Sequence, residues 1–307
     1  MRFSVCVDPG RTWAEVVDLV RHAEAVGWDG AYVCDHFMPY HAGGLAVDGP
    51  MLEGWTTLAA LAGHTQRLRL GTLVLGNTYR HPAVVANMAA TMDHVTGGRF
   101  VLGLGAGWQA NEHTAYGIAL GSTRSRLDRF EEACAVIRSL LTQPRTTHHG
   151  EHYRLTDAPC DPKPVQSRLP ILIGGGGERR TLRIAAQFAD EWHAWGTAEE
   201  LAHKSQVLDR HCGDIGRDPS TIRRAAGATV ELSAGAATAR GDASVVSDAS
   251  VVAGTPPQVV DVLARYQAVG VDELIVRDSR RTPLAAAKDT LSLFWAEVAG
   301  CLRKPIP

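Results

Sequence analysis

Short apolar segments alternate with longer segments of helical periodicity along most of the chain. The short segments are rich in Val, Ile and Leu, which is typical of strands in a buried sheet. The first helical segment combines Thr12 and Glu15 at capping-box spacing with a terminal Gly27. We place the strands at 3–7, 30–34, 68–75, 100–104, 171–173, 191–195, within 221–232, and at 273–276.

Eight strand-then-helix units predict a parallel sheet with right-handed crossovers. Because eight units over about 300 residues favour closure, we expect a single α/β domain, a (β/α)8 TIM barrel spanning 1–307. An open, doubly wound sheet is the alternative. Three segments, 36–54, 144–168 and 233–253, exceed a minimal barrel. Each is either a lid over a site or a surface excursion.

The composition of the chain mainly excludes certain partners and kinds of site. Hydrophobic residues make up 45% of the chain and the formal net charge is −2, so nothing indicates nucleic acid or an anionic membrane as a partner. The six cysteines are widely spaced without a Cys-x-x-Cys pair, which disfavours a zinc ribbon or a disulfide framework. Since the sequence shows neither a membrane-spanning run nor a signal peptide, we expect a cytoplasmic protein.

Polar and glycine residues follow several predicted strands, which is where the loops of a barrel build a site. Asp35 and His36 follow the second strand, and such a pair suits proton transfer near neutral pH. A histidine that caps a loop is the simpler interpretation. Gly76 and Asn77 follow the third strand and permit unusual backbone geometry.

Two glycine-rich segments are candidate binding loops. The fourth strand ends in Gly103, Gly105 and Gly107, which bring bare backbone close to a flat or anionic group. A Rossmann site is disfavoured, because position 108 is Trp and no ribose-binding acid follows at the usual distance. Four glycines at 174–177 precede a helix start, and backbone N–H groups there suit a phosphate.

Other polar clusters favour plainer interpretations. The three histidines within 148–152 lie in a polar excursion without matching acids, so we expect exposed side chains and no metal site. We expect Arg67 and Arg69 to be solvated surface residues. Trp195 closes the sixth strand, where it either walls a pocket or packs against the next loop.

These segments together resemble the bacterial luciferase-like monooxygenase superfamily. They resemble more closely its branch that uses the deazaflavin coenzyme F420. The resemblance rests on 35–37, 70–77, 93–112 and 172–177, which span the second to the fifth strand. Each piece is weak by itself, whereas the combination is specific.

The resemblance implies a luciferase-like barrel, often dimeric, with the cofactor at its C-terminal face. His36 matches the histidine beside the reactive carbon of the cofactor, where it serves as acid or base. Leu73 and Val74 match a bulge with a non-proline cis peptide that supports one face of the ring system. The cofactor-binding residues implied in this way are Asp35, Leu73, Val74, Gly76, Asn77, Gly105, Gly107, Asn111, Gly174, Gly175, Gly176 and Gly177.

The chain departs from the sugar-phosphate dehydrogenases of this branch in three places. Trp108 stands where they carry a glutamate after the glycines of strand four, and the glutamate after their first strand is missing. Tyr40 replaces a tryptophan after the Asp-His pair. We therefore expect an apolar or aromatic substrate in a pocket that Tyr40, Trp108 and Trp195 line.

The sequence thus predicts an F420-dependent oxidoreductase that transfers a hydride between the deazaflavin and a carbonyl, imine or activated alkene. His36 would handle the accompanying proton. One alternative is an FMN-dependent monooxygenase on the same scaffold. A second alternative is a barrel that binds a cofactor without catalysis. A homodimer is expected in each case.

Overall fold

The computed structural model of the protein describes residues 1–39, 49–233 and 250–303. Strands and helices alternate through these ranges as the sequence pattern predicts. The strands are β1 (Arg2–Val7), β2 (Gly30–Val33), β3 (Arg69–Thr72), β4 (Leu75–Gly76), β5 (Phe100–Gly105), β6 (Thr146–His149), β7 (Arg154–Ala158), β8 (Ile171–Gly174), β9 (Glu191–Trp195), β10 (Arg223–Leu232), β11 (Val251–Gly254) and β12 (Glu273–Arg277).

The helices pack around the outside of the strands and cover their outward faces. They are α1 (Trp13–Val26), α2 (Gly54–Ala62), α3 (Pro82–Val95), α4 (Ala110–Ala115), α5 (Thr123–Thr142), α6 (Thr181–Phe188), α7 (Ala198–Asp214), α8 (Pro256–Ala268), α9 (Leu284–Phe294) and α10 (Gly300–Leu302). A π-helical turn at Trp295–Ala299 joins the last two helices. Within the described ranges, no helix is long and apolar enough to cross a membrane.

Eight of the strands close into a barrel. Parallel pairing runs through β1, β2, β3, β5, β8, β9, β10 and β12, and β12 returns to pair with β1. This closure confirms the (β/α)8 barrel and excludes the open sheet, which would leave two unpaired edges. The predicted strand at 68–75 divides into β3 and β4, because a cis peptide between Leu73 and Val74 interrupts it.

The insertions differ in how much of them the structure describes. The segment 144–168 contains the antiparallel hairpin of β6 and β7. His148 of this hairpin lies 3.0 Å, through Nε2, from the Glu132 carboxylate of α5, so the prediction of an exposed side chain was wrong here. Tyr40 and most of the insertion at 233–253 lie outside the described residues.

Buried charges close the N-terminal end of the barrel. Arg69 at the start of β3 contacts Glu191 at 2.6 Å and Glu273 at 3.0 Å, which begin β9 and β12. Arg2 adds a contact of 2.8 Å to Glu273. Burial alone would raise the pKa of Glu273, but Arg2 and Arg69 outweigh it and lower that pKa. The prediction that Arg69 is a solvated surface residue was therefore wrong.

Replacing Arg69 tests how much this network stabilises the barrel. Arg69→Met should lower the free energy of unfolding by up to about 3–5 kcal/mol, because it removes one of the two arginines that compensate both buried carboxylates, Arg2 being the other. Arg67→Met is the matched control, since Arg67 is exposed and its guanidinium donates to the backbone carbonyl of Glu24 rather than to a buried carboxylate. Its effect should stay within roughly 0.5 kcal/mol. Urea unfolding measures both, and equal losses would contradict the assignment.

Candidate active site

A buried histidine–glutamate pair lies at the C-terminal rim of the barrel. His36 follows β2, and its Nδ1 lies 2.8 Å from Oε1 of Glu112 on α4. The histidine is 9% exposed and the glutamate is fully buried. A neutral imidazole that donates from Nδ1 carries no proton on Nε2. The carboxylate therefore sets both the tautomer and the orientation of the ring.

The Glu112 carboxylate is itself held by several donors. Oε2 accepts from the backbone N–H of Phe37 at 2.8 Å and of Met38 at 3.3 Å, while Oε1 also accepts from the Tyr79 hydroxyl. Burial would raise the pKa of Glu112, but the bonds from His36, Tyr79 and Phe37 outweigh it and lower that pKa. Burial and the bond to Glu112 raise the pKa of Tyr79, so its hydroxyl remains a donor.

Sequence reasoning missed Glu112. It lies directly after Asn111, and a glutamate on a short helix usually faces solvent. Its partner His36 is 76 residues away, so only the folded chain brings the two together. Trp108, from the same segment, is 49% exposed and packs edge-on against His36 with ring centroids 5.5 Å apart.

The cis peptide between Leu73 and Val74 is present where the resemblance implies it. The Val74 side chain turns towards the glycines of the neighbouring strands. A Cβ on Gly105 would lie 2.6 Å from a Val74 methyl carbon, and one on Gly174 would lie 2.9 Å from another. These two glycines are therefore required by Val74. Val74 thus gives both glycines a structural reason, and their contact with a cofactor stays a prediction.

Asp35 lies beneath the same bulge. Its carboxylate forms a bidentate pair with Arg80, at 2.8 and 3.0 Å, and also accepts from the Gly76 N–H at 2.9 Å. Arg80 in turn contacts Glu53 at 2.6 Å. Burial raises the pKa of Asp35, and the bonds from Arg80 and Gly76 oppose that rise only in part. Asp35 thus binds β4 and the segment after it, which follow the bulge, and its contact with a cofactor stays a prediction.

Two amide side chains near the rim differ in their hydrogen bonding. The Asn77 amide donates to the Tyr153 hydroxyl at 3.3 Å, which ties the end of β4 to the hairpin insertion. Both polar side-chain atoms of Asn111 are buried and find no hydrogen-bond partner among the residues that the structure describes. Since a buried amide without partners costs free energy, Asn111 is suited to bind a polar group of a ligand. Gly107 precedes this helix at the same rim.

The four glycines at 174–177 lie at the end of β8, before α6. The Gly175 N–H donates to the His193 carbonyl at 2.9 Å, which fixes the loop on β9. Lys204 of α7 reaches the loop and donates to the Gly176 carbonyl at 3.0 Å. No sequence signal pointed to this lysine. Arg180, which precedes α6, pairs instead with Asp128 and Glu131 on α5.

The opposite wall of the mouth carries Trp195. Its indole is 37% exposed and covers Gly227 of β10, where a Cβ would lie 2.5 Å from the ring. β2 and β9 stand four places apart in a ring of eight strands, so Trp195 faces the His36 side across the mouth. The structure thus brings His36, Trp108, the Leu73–Val74 bulge and Trp195 to one rim.

The structure thus combines a closed (β/α)8 barrel with a buried histidine–glutamate pair and a cis-peptide bulge at its C-terminal rim. The chain belongs to the luciferase-like monooxygenase family, whose sequence profile matches residues 1–244.

Part of the chain is also similar in sequence to individual relatives. It is 38% identical over 164 residues to an F420-dependent glucose-6-phosphate dehydrogenase from Kineococcus radiotolerans, covering 53% of this chain and 47% of that protein. The chain therefore spans about half the length of such relatives.

Two solved structures share the fold. The coenzyme F420-dependent tetrahydromethanopterin reductase from Methanopyrus kandleri superposes with a TM-score of 0.81 at 19% identity, covering 98% of this chain and 99% of that one. The FMN-bound oxygenating constituent of 3,6-diketocamphane monooxygenase from Pseudomonas putida has a TM-score of 0.75 at 18% identity, with 99% of each chain covered.

The packing of Val74 against Gly105 predicts a coupled pair of substitutions. Gly105→Ala should lower the free energy of unfolding by about 1–3 kcal/mol, because the new methyl group overpacks against Val74. Val74→Ala removes that conflict, so the double variant should lose at least roughly 1 kcal/mol less than the sum of the single losses. Gly213→Ala on α7, with nothing within 4 Å of its Cβ position, is the control and should be neutral or stabilising. Strict additivity would refute the packing argument.

The lowered pKa of Glu112 predicts how stability depends on pH. A carboxyl with a lowered pKa stabilises the fold above its ordinary value of 4.5 and loses that contribution as the pH falls through the lowered value. Glu112→Gln should therefore cost roughly 1–3 kcal/mol near neutral pH, and the difference from the wild type should shrink in acid. Glu151→Gln, on the exposed surface, controls for the substitution itself. A difference that stays constant in urea unfolding from neutral pH to below pH 4.5 would contradict this role.

Proposed function

We propose that the protein is an F420-dependent oxidoreductase, which transfers a hydride between the deazaflavin and a small organic substrate such as a carbonyl, imine or activated alkene. The observation that carries the proposal is the orientation of His36 by a fully buried, anchored Glu112 beside the cis-peptide bulge. The match to an F420-dependent dehydrogenase over half the chain supports the choice of cofactor.

The residues at the rim fit such a cofactor. The half-buried side chains of Leu73 and Val74 offer an apolar surface for one face of a ring system. The buried amide of Asn111 would bind the polar chain of the cofactor. Backbone N–H groups of Gly176 and Gly177, the start of α6 and the Lys204 ammonium would together suit a phosphate.

The bound deazaflavin supplies the carbon that gives or accepts the hydride. The rim residues would orient the cofactor and the substrate relative to each other, and this positioning would be the main contribution of the protein to the rate. Because Glu112 fixes Nδ1–H, the proton that accompanies the hydride would be exchanged at Nε2 of His36. Asp35 acts indirectly, since it holds Arg80 and the loop that carries the bulge.

A second candidate is an FMN-dependent monooxygenase. It is favoured by the similarity in fold to the FMN-bound component of diketocamphane monooxygenase. Both candidates use the same rim and differ in the cofactor that it selects. We also propose that the protein acts in the cytoplasm as a homodimer. The six free cysteines agree with a reducing compartment.

A titration with each cofactor, combined with a His36 variant, tests the proposal. Trp108 and Trp195 lie at the mouth, so intrinsic fluorescence should report binding, and F420 should bind more tightly than FMN. His36→Ala should keep the dissociation constant for F420 within about threefold and lower kcat by roughly 10²–10⁴. His149→Ala is the control, because His149 is exposed on the hairpin insertion.

Each other outcome has a definite meaning. Tighter binding of FMN would favour the monooxygenase. Unchanged turnover in His36→Ala would remove His36 from the mechanism. Tight binding of F420 without turnover of any acceptor would identify a barrel that binds the cofactor without catalysis.

A further inference from the structure

A second histidine lies inside the barrel, on the wall opposite His36. The inward side chains of β9 include Glu191, which joins the charge network at the closed end, and Trp195 at the mouth. Because inward positions alternate along a strand, His193 also points into the barrel, one layer below Trp195. The two rings pack edge-on with centroids 5.4 Å apart.

The imidazole of His193 is almost completely enclosed but not satisfied. It is 3% exposed, and its Nε2 is buried without a hydrogen-bond partner in the described part of the chain. Burial lowers the pKa of His193 to about 4, opposed by Glu273, so the ring is neutral at physiological pH. A buried polar atom in this state destabilises the fold unless a ligand completes its bond.

The residues around His193 leave this bond to a ligand. Glu273, the acid that faces it from β12, is already engaged by Arg2, Arg69 and Ser4. The residues in register with His193 are Gly174 on β8 and Ala225 on β10, which carry little or no side chain. The imidazole therefore lies between two residues without polar side chains, with the Trp195 ring packed against it and Val74 next to Gly174.

We propose that His193 and Trp195 form the substrate-binding wall of the site. The imidazole forms one hydrogen bond with an uncharged hydroxyl or carbonyl oxygen of the substrate. Trp195 contacts the apolar or aromatic body of the same substrate. This inference rests on the proposed function, because it places the substrate across the mouth from His36 and the bulge. It makes His193 a substrate-binding residue, distinct from the proton-handling His36.

The arrangement selects by charge as well as by shape. A neutral imidazole supplies no countercharge to a carboxylate or a phosphate, so His193 favours uncharged substrates. An acidic substrate would need a cation in contact with it instead. A ring ketone and a carboxylate of the same ring therefore separate the two possibilities.

Cyclohexanone and cyclohexanecarboxylate are suitable probes with the F420-loaded protein. His193→Phe keeps a ring but removes the hydrogen bond, so KM and the calorimetric Kd for cyclohexanone should rise roughly three- to tenfold. The Kd for F420 should not change. His193→Gln, which retains polar atoms, should restore part of the affinity. The melting temperature of His193→Phe should rise by roughly 2–4 °C, because an unsatisfied buried atom is removed.

Several results would overturn the inference. An unchanged KM with a lower melting temperature would make His193 an ordinary core residue. A parallel rise in the F420 Kd would place it against the cofactor. Tighter binding of the carboxylate, or no binding of the ketone to the wild type, would refute the neutral substrate class. If the wild type fails to bind F420 in the first place, the proposed function fails, whereas ketone binding and the melting temperatures still test His193.

Discussion

The buried carboxylate of Glu112 is the junction on which the rim of the barrel depends. It accepts hydrogen bonds from the loop after β2, through Phe37, Met38 and His36, and from Tyr79 after β4. A buried anion is tolerated only when donors replace the water that it loses, and here four groups do so. One charge thus holds three strand ends together and fixes the imidazole that faces the mouth.

The N-terminal and C-terminal ends of the barrel are built from different kinds of residue. The N-terminal end is sealed by Arg69 between two glutamates, which replaces solvent with fixed ion pairs. At the C-terminal end, glycines admit the Val74 side chain, and this lets the bulge turn inward without a clash. The closed end therefore stabilises the barrel, while the open end is shaped for a ligand. This division is common to enzymes built on this fold.

The open end itself has two walls with different chemistry. On the His36 side, the Glu112 carboxylate fixes the orientation of the imidazole. On the His193 side, no carboxylate is available to the imidazole, because Glu273 is already engaged, and burial keeps the ring neutral. Each histidine lies edge-on to a tryptophan, Trp108 or Trp195. We propose that the same residue types serve proton exchange on one wall and substrate recognition on the other.

The sequence by itself determined the order of strands and helices, the closed barrel and the position of the bulge at Leu73 and Val74. These features follow from local periodicity, from capping and glycine signals, and from short family-like segments. Tyr40 and most of 233–253 remain predictions, since they lie outside the described residues.

Only the tertiary structure decided which polar residues are paired. His36 and Glu112 are 76 residues apart, and Arg69 is 122 residues from Glu191 and 204 from Glu273. No local pattern distinguishes such residues from solvated ones, because their burial is created by strands that meet only when the barrel closes. The role of a charged side chain was therefore set by its distant partners, and these become neighbours only in the folded chain.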